Sequence, residues 1–141
     1  MKAPVGEVFS YIADFRTIRD YNPSVLRVDP MGDGTPAVGS CYELTLSMFG
    51  RRIRPVLTIT EMKENELITT RLDSFIRAFE QRLFLRSGNE TDFFFTIEFS
   101  SRWPLIGPLV DTILVKLFAE RQAQTEVRLL EKRFNRQTKS S

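Results

Sequence analysis

Four side chains on predicted strands are of types that could carry out acid–base chemistry: Tyr42, Glu61, Arg71 and Gln81. Such groups polarise a carbonyl or transfer a proton when they face a substrate together. Glu61 and Arg71 could equally be solvated or paired with charges on neighbouring strands, and the sequence leaves both alternatives open. These four residues are therefore candidates for a catalytic site, and no role is assigned to any one of them.

Histidine is absent from the chain, and Cys41 is the single cysteine. Serine–histidine and cysteine–histidine catalysis are therefore excluded. One cysteine without histidine cannot build a zinc site, so no metal and no cofactor are expected. An enzyme built on this chain would have to use carboxylates, tyrosine, lysine, arginine or water. The lone cysteine also excludes an internal disulfide, which agrees with a reducing compartment.

Strands must position these candidates. Apolar and polar residues alternate in several segments joined mainly by short turns, which predicts an antiparallel meander. Ser87-Gly88-Asn89 is expected to be the last hairpin turn. The six predicted strands are Val25–Val28, Tyr42–Met48, Ile53–Met62, Leu67–Leu72, Phe75–Arg86 and Phe93–Phe99.

The phase of the fifth strand decides which of its side chains point inward. Gln81 alternates with the apolar Phe79, Leu83 and Leu85 on one face of that strand. Residues two apart in a strand point the same way, so these four are predicted to face the interior. Glu80 and Arg82 are then expected to point outward.

Three helices are predicted around the sheet. Two short ones, Ala3–Phe15 and Thr17–Tyr21, precede the strands, and a long one spans about Pro108–Phe134. The four-residue spacing of Leu109, Ile113 and Leu117 predicts an apolar stripe that packs on the sheet, beside a second row formed by Val110, Leu114 and Phe118. These elements predict an α+β fold in which a curved antiparallel sheet wraps around a long C-terminal helix.

Length and charge restrict the class of protein further. The 141 residues predict one domain, residues 1–141, with a polar tail that frays over 135–141. No apolar run approaches the roughly 20 residues that span a bilayer, so no stable membrane insertion is expected. The N-terminus lacks a hydrophobic signal core, which predicts a cytoplasmic location. A net charge of +2 does not indicate nucleic-acid binding.

Several short motifs together resemble the SRPBCC superfamily, the START-like or Bet v 1-like proteins. The resemblance is greatest to the branch called polyketide cyclase/dehydrase and lipid transport, and it covers nearly the whole chain. It implies the helix-grip fold. The motifs are Ala3-Pro4-Val5-Gly6-Glu7-Val8-Phe9, Ile12-Ala13-Asp14, Tyr21-Asn22-Pro23-Ser24, Val38-Gly39-Ser40, Ile59-Thr60-Glu61-Met62 and the long helix from Leu109.

The resemblance also implies a cavity between the sheet and the long helix for a lipid-like, quinone-like or polyketide-like ligand. A binder or carrier of a small hydrophobic ligand is the first hypothesis. A cyclase or dehydratase that uses neither metal nor histidine is the second, and an interaction module with a filled core is the third. The candidate ligand-binding residues are Tyr42, Leu44, Leu46, Phe79, Phe93, Phe95, Phe99, Leu109, Ile113, Leu117 and Phe118.

The resemblance fails at one place. The family has a strand directly before the Ala3-Pro4 pair, where this chain has Met1-Lys2 alone. That strand pairs with the last one in the family, so the edge of Phe93–Phe99 is expected to be unpaired here. Unpaired edges attract other strands, and this edge is therefore a candidate surface for a homodimer.

Overall fold

The N-terminal part of the chain forms two short helices. The structure, a computed structural model, describes residues 1–74, 77–99 and 109–139, with the side chains of 116–135 in the last range. Helix α1 spans Val5–Ala13, and its Pro4 carbonyl accepts a hydrogen bond from the Val8 amide at 3.1 Å. A 3₁₀ helix spans Phe15–Asp20. Its cap is the Asp14 carboxylate, which accepts from the Arg16 amide at 3.1 Å.

Seven described strands form one antiparallel sheet. All the hydrogen-bonded pairs among them are antiparallel, as the short turns predict. The strands are β1 (Val25–Met31), β2 (Cys41–Met48), β3 (Arg51–Ile53), β4 (Val56–Lys63), β5 (Leu67–Asp73), β6 (Arg77–Ser87) and β7 (Glu90–Phe99). Their order in the sheet is β1-β2-β4-β5-β6-β7, with β3 paired to β2.

The predicted strand Ile53–Met62 is divided in two. Strand β3 ends at Ile53 and β4 begins at Val56. Pro55 lies between them and has no amide hydrogen to give to the ladder. Its carbonyl accepts a hydrogen bond from the Leu44 amide at 2.9 Å, which keeps β2 attached across the break. The described residues therefore form one strand more than the six predicted.

Helix α2 spans Leu109–Lys139, five residues beyond the predicted end at Phe134. Leu130 and Phe134 are buried and join α1 and the 3₁₀ helix in one hydrophobic core. Leu117 is 50% exposed, so the prediction that it packs against the sheet is wrong. The side chains of Leu109 and Ile113 lie outside the described residues. The fold is the predicted helix-grip α+β architecture.

The free edge of β7 is partly covered by the N-terminal residues. The Met1 ammonium donates to the Thr91 carbonyl at 2.7 Å, and the Thr91 amide donates to the Met1 carbonyl at 2.9 Å. The Thr91 hydroxyl donates to the Ala3 carbonyl at 2.8 Å. Met1 thus pairs with the start of β7 as a neighbouring strand would. The homodimer through the rest of this edge stays a prediction.

Candidate functional site

A cavity lies between the inner face of the sheet and α2, and we call it the central cavity. Its volume is about 100 Å³. Apolar side chains from the strands of the sheet form most of its wall, and α2, the 3₁₀ helix and the segment after it contribute the rest. The described lining residues are Ile18, Asn22, Ser24, Val25, Leu44, Leu46, Met48, Ile53, Leu57, Leu72, Ser74, Ala78, Glu80, Phe95, Ile97, Phe99, Phe118, Ala119, Gln122, Ala123 and Glu126.

Strand β6 has charged side chains on the face that points toward this cavity. Its inward face carries Ala78, Glu80, Arg82 and Phe84, and the Arg82 side chain is completely buried. Directly paired residues share a face of the sheet, and Arg82 pairs with Phe95 of β7. The inward position of Arg82 therefore follows from the register of the β6–β7 hairpin.

Arg82, Glu80 and Glu126 form what we call the buried charge cluster. The Arg82 Nη2 lies 2.9 Å from Glu80 Oε2 and 3.5 Å from Glu126 Oε2. The Arg82 Nη1 donates to the Thr70 hydroxyl at 3.4 Å. A buried guanidinium is tolerated when carboxylates and hydrogen-bond acceptors surround it, and this cluster supplies both.

Two aromatic rings cover the guanidinium. The Arg82 Cζ lies 4.3 Å from the centre of the Phe95 ring and 5.1 Å from that of Phe15. Both distances are short enough for a cation–π interaction. The positive charge is therefore held between rings and carboxylates, and Arg82 itself is not part of the described cavity wall.

Helix α2 contributes the second carboxylate of the buried charge cluster. Glu126 is almost fully buried, and its Oε1 accepts from the Asn22 amide nitrogen at 2.7 Å. Burial raises the pKa of Glu126 to about 7, against the lowering effect of Arg82 and with a further increase from the negative charge of Glu80. Glu126 can therefore gain or lose a proton near neutral pH.

Gln122 lies one helical turn before Glu126 and also lines the cavity. Its Oε1 is buried, and among the described residues no group donates a hydrogen bond to it. An unpaired buried acceptor costs free energy, so this atom favours a hydrogen-bond donor within the cavity. Glu80, Gln122 and Glu126 together make one end of the cavity rich in acceptors.

Five of the predicted ligand-binding residues line the central cavity: Leu44, Leu46, Phe95, Phe99 and Phe118. They come from β2, β7 and α2, the elements that the sequence predicted to enclose a common volume. The binding role of these five residues stays a prediction.

Four other predicted lining residues lie elsewhere. Tyr42 is buried in the core and its hydroxyl donates to the Gly34 carbonyl at 2.9 Å, so it does not face the cavity. Phe79 is 39% exposed on the outer face of β6, and Leu117 is exposed on α2. Phe93 packs against Phe84, with ring centres 5.2 Å apart. The prediction that these four line the cavity is wrong.

The candidate acid–base residues do not converge. Glu61 is exposed and lies 3.7 Å from the Lys63 ammonium. Arg71 pairs with Asp73 at 2.7 Å, and Gln81 is exposed on the outer face of β6. Tyr42 is occupied by its bond to the loop at Gly34. The structure brings Glu80, Gln122 and Glu126 together in their place.

The sequence contained a signal for the missed helix residues. Phe118 belongs to the second predicted row of α2, and steps of four residues from it reach Gln122, Glu126, Leu130 and Phe134. Leu130 and Phe134 are buried, so the row lies on the inward face of the helix. Two polar residues in the middle of an otherwise apolar row indicate a site that needs polar groups.

A sheet wrapped around a long helix, with a cavity between them, defines a ligand-binding fold of the START-like type. The family model described as "polyketide cyclase / dehydrase and lipid transport" matches residues 1–135. The chain belongs to this family. No curated protein sequence is similar enough to count as a relative.

Solved structures show the same fold at low sequence identity. The Zhui aromatase/cyclase of Streptomyces sp. R1128 has 13% identity and a TM-score of 0.80, over 97% of this chain and 90% of that one. The protein TTHA0849 of Thermus thermophilus has 16% identity and a TM-score of 0.74, over 95% and 91% of the two chains. A START superfamily protein of Mycobacterium smegmatis has 19% identity and a TM-score of 0.65, over 96% and 92%.

In the part of the chain that the structure describes, no helix has both the length and the apolar character to cross a membrane.

Proposed function

We propose that the protein binds a small hydrophobic molecule in the central cavity. The observation that carries this proposal is a cavity of about 100 Å³ with a mainly apolar wall, bounded on one side by α2. An apolar cavity of about 150 Å³ engineered in another protein takes up benzene, so a volume of this order suits a single ring or a short chain. Burial of each methylene group contributes about 0.8 kcal/mol to binding.

A variant that fills the cavity tests this proposal. Ala123 lines the cavity, and Ala123→Trp would place a large ring in it. Leu117→Trp adds a similar ring on the exposed side of the same helix and is the matched control. Titration with ethylbenzene, followed by amide chemical shifts, should show saturable binding to wild type and Leu117→Trp and little to Ala123→Trp. Equal binding by all three proteins would exclude the cavity as the site.

A second candidate function is cyclisation or dehydration of a polyketide-like substrate. It is favoured by the convergence of Glu80, Gln122 and Glu126 on one end of the cavity. Aldol-type ring closure needs a base that removes a proton from a carbon next to a carbonyl, and an acid that protonates the receiving carbonyl. Glu126, with its pKa raised by burial to about 7, is the group that could exchange protons at neutral pH.

This second candidate has its own test. A short linear poly-β-ketone is incubated with wild type and with Glu126→Gln, and the products are separated by mass spectrometry. Catalysis by this cluster predicts a cyclised, dehydrated product that forms faster with wild type than in buffer. It also predicts that Glu126→Gln removes most of that acceleration. Equal rates with and without protein would leave ligand binding as the function of the cavity.

A further inference from the structure

The charged side chains of the described cavity wall are all acidic. They are Glu80 and Glu126, and the unpaired amide oxygen of Gln122 lies beside them. The other polar lining residues are Asn22, Ser24 and Ser74, and the side-chain amide of Asn22 already donates to Glu126 at 2.7 Å. The described lining residues include no lysine and no arginine. Carboxylates and an amide oxygen accept hydrogen bonds, and the Gln122 oxygen has no donor among the described residues, so a ligand that donates a hydrogen bond is favoured at this end of the cavity.

The nearby positive charge of Arg82 does not make this end of the cavity a site for anions. Arg82 is completely buried, and its guanidinium already contacts both carboxylates and the rings of Phe95 and Phe15. A ligand carboxylate would therefore meet two acidic side chains without reaching the guanidinium. Like charges at short distance in a poorly solvated site repel strongly, so an anionic head group is disfavoured.

We propose that the ligand is an uncharged molecule with a hydroxyl group that donates a hydrogen bond to the Gln122–Glu126 end of the cavity, and that carboxylate-bearing lipids are rejected. The expected ligands are then phenols and enols, and free fatty acids are excluded. This inference rests on the proposed function, because it concerns the occupant of the same cavity. Gln122 is the residue that sets the preference, since its amide oxygen lacks a donor among the described residues.

Four probes that share an ethylphenyl body and differ in their para substituent separate the hydroxyl inference from the proposed ligand-binding function. Ethylbenzene has no polar group, 4-ethylanisole accepts only, 4-ethylphenol donates, and 4-ethylbenzoate is an anion. Affinities are measured by amide chemical shifts in mildly alkaline buffer, where the phenol is still neutral. We expect 4-ethylphenol to bind about tenfold more tightly than 4-ethylanisole, which corresponds to about 1.4 kcal/mol. We expect 4-ethylbenzoate to bind most weakly.

Two variants show whether the named residues cause these differences. Gln122→Leu should abolish the preference for the phenol while ethylbenzene still binds, whereas Gln124→Leu on the exposed side of α2 should keep it. Glu126→Gln should improve the affinity for 4-ethylbenzoate, because it removes one negative charge and its amide oxygen can still accept from Asn22. If 4-ethylbenzoate stays equally weak in Glu126→Gln, rejection comes from general desolvation and the charge argument falls.

The outcomes distinguish failure of the hydroxyl inference from failure of the proposed ligand-binding function. If ethylbenzene binds and the phenol has no advantage over the anisole, the hydroxyl inference is overturned while the cavity remains a ligand site. If none of the four probes binds, the cavity does not take single-ring ligands and both statements are overturned.

Discussion

The two faces of β6 have the opposite exposure to the one that their composition indicates. The outer face carries Phe79, Leu83 and Leu85, and Leu85 is 53% exposed. The inner face carries Glu80 and Arg82, and Arg82 is completely buried. The more apolar face of this strand is thus the one in contact with water.

Pairing explains why the charged face can be the inner one. A buried charge is costly alone, but Arg82 has two carboxylates, a threonine hydroxyl and two aromatic rings around it. Neighbouring strands share this face, since Ile68 and Thr70 of β5 are also fully buried. Partners on adjacent elements, rather than the hydropathy of one strand, decide which face is buried.

The largest expected effect comes from removing the guanidinium. Arg82→Met keeps much of the side-chain volume and leaves Glu80 and Glu126 buried without their counter-charge. We expect the free energy of unfolding to fall by about 3–5 kcal/mol in mildly alkaline buffer, as for other broken buried ion pairs. Urea unfolding followed by circular dichroism measures the loss.

The neighbouring position provides the matched control. Gln81→Met makes a change of similar size on the exposed face of the same strand, and we expect an effect within about 0.5 kcal/mol. A larger loss for Gln81→Met than for Arg82→Met would mean that the two faces had been assigned the wrong way round.

The orientation of β6 was predicted wrongly because the observed hairpin turn is one residue shorter than the predicted one. The sequence predicts a three-residue turn, Ser87-Gly88-Asn89, which would pair Gln81 with Phe95 and place both inside. The observed turn is Gly88–Asn89, with Ser87 paired to Glu90, and this register pairs Arg82 with Phe95. A shift of one residue moves every side chain of a strand to the other face.

Elements with long patterns were predicted better than this strand. Alternation along β2 and β7 and the second four-residue row of α2 predicted the five lining residues Leu44, Leu46, Phe95, Phe99 and Phe118. The inward charges were not predicted, because their burial depends on partners that lie far apart in the sequence. Glu126 contacts Arg82, 44 residues away, and Asn22, 104 residues away.

The second prediction applies the same comparison to α2. Leu130 is completely buried, whereas Leu117 is half exposed. Leu130→Ala should lower the free energy of unfolding by about 2–5 kcal/mol, since it opens a cavity in the core. Leu117→Ala should cost less than about 1 kcal/mol, because the removed atoms already contact water. Both are measured by urea unfolding, and similar losses for the two variants would contradict the assigned helix faces.

The third prediction uses the proton of Glu126. Its carboxyl pKa in the folded protein is about 7, compared with an ordinary value of 4.5. Between these values the folded state holds a proton that the unfolded state has released, so stability falls as the pH rises through this window. The full loss, present above the folded pKa, is roughly 3 kcal/mol. Glu126→Gln should not show it.

The measurement compares urea unfolding of wild type and Glu126→Gln at several pH values across that window, with Glu131→Gln on the exposed side of α2 as control. The carboxyls of Asp14, Asp33 and Asp73 have pKa values lowered from 3.8 and so titrate below the window. Their hydrogen bonds with Arg16, Thr35, Arg71 and Arg77 therefore affect all three proteins equally there. Glu126→Gln should become more stable than wild type as the pH rises, whereas Glu131→Gln should follow wild type. Parallel curves for all three proteins would show that Glu126 is already ionised in the folded state, and its proposed acid–base role would then be lost.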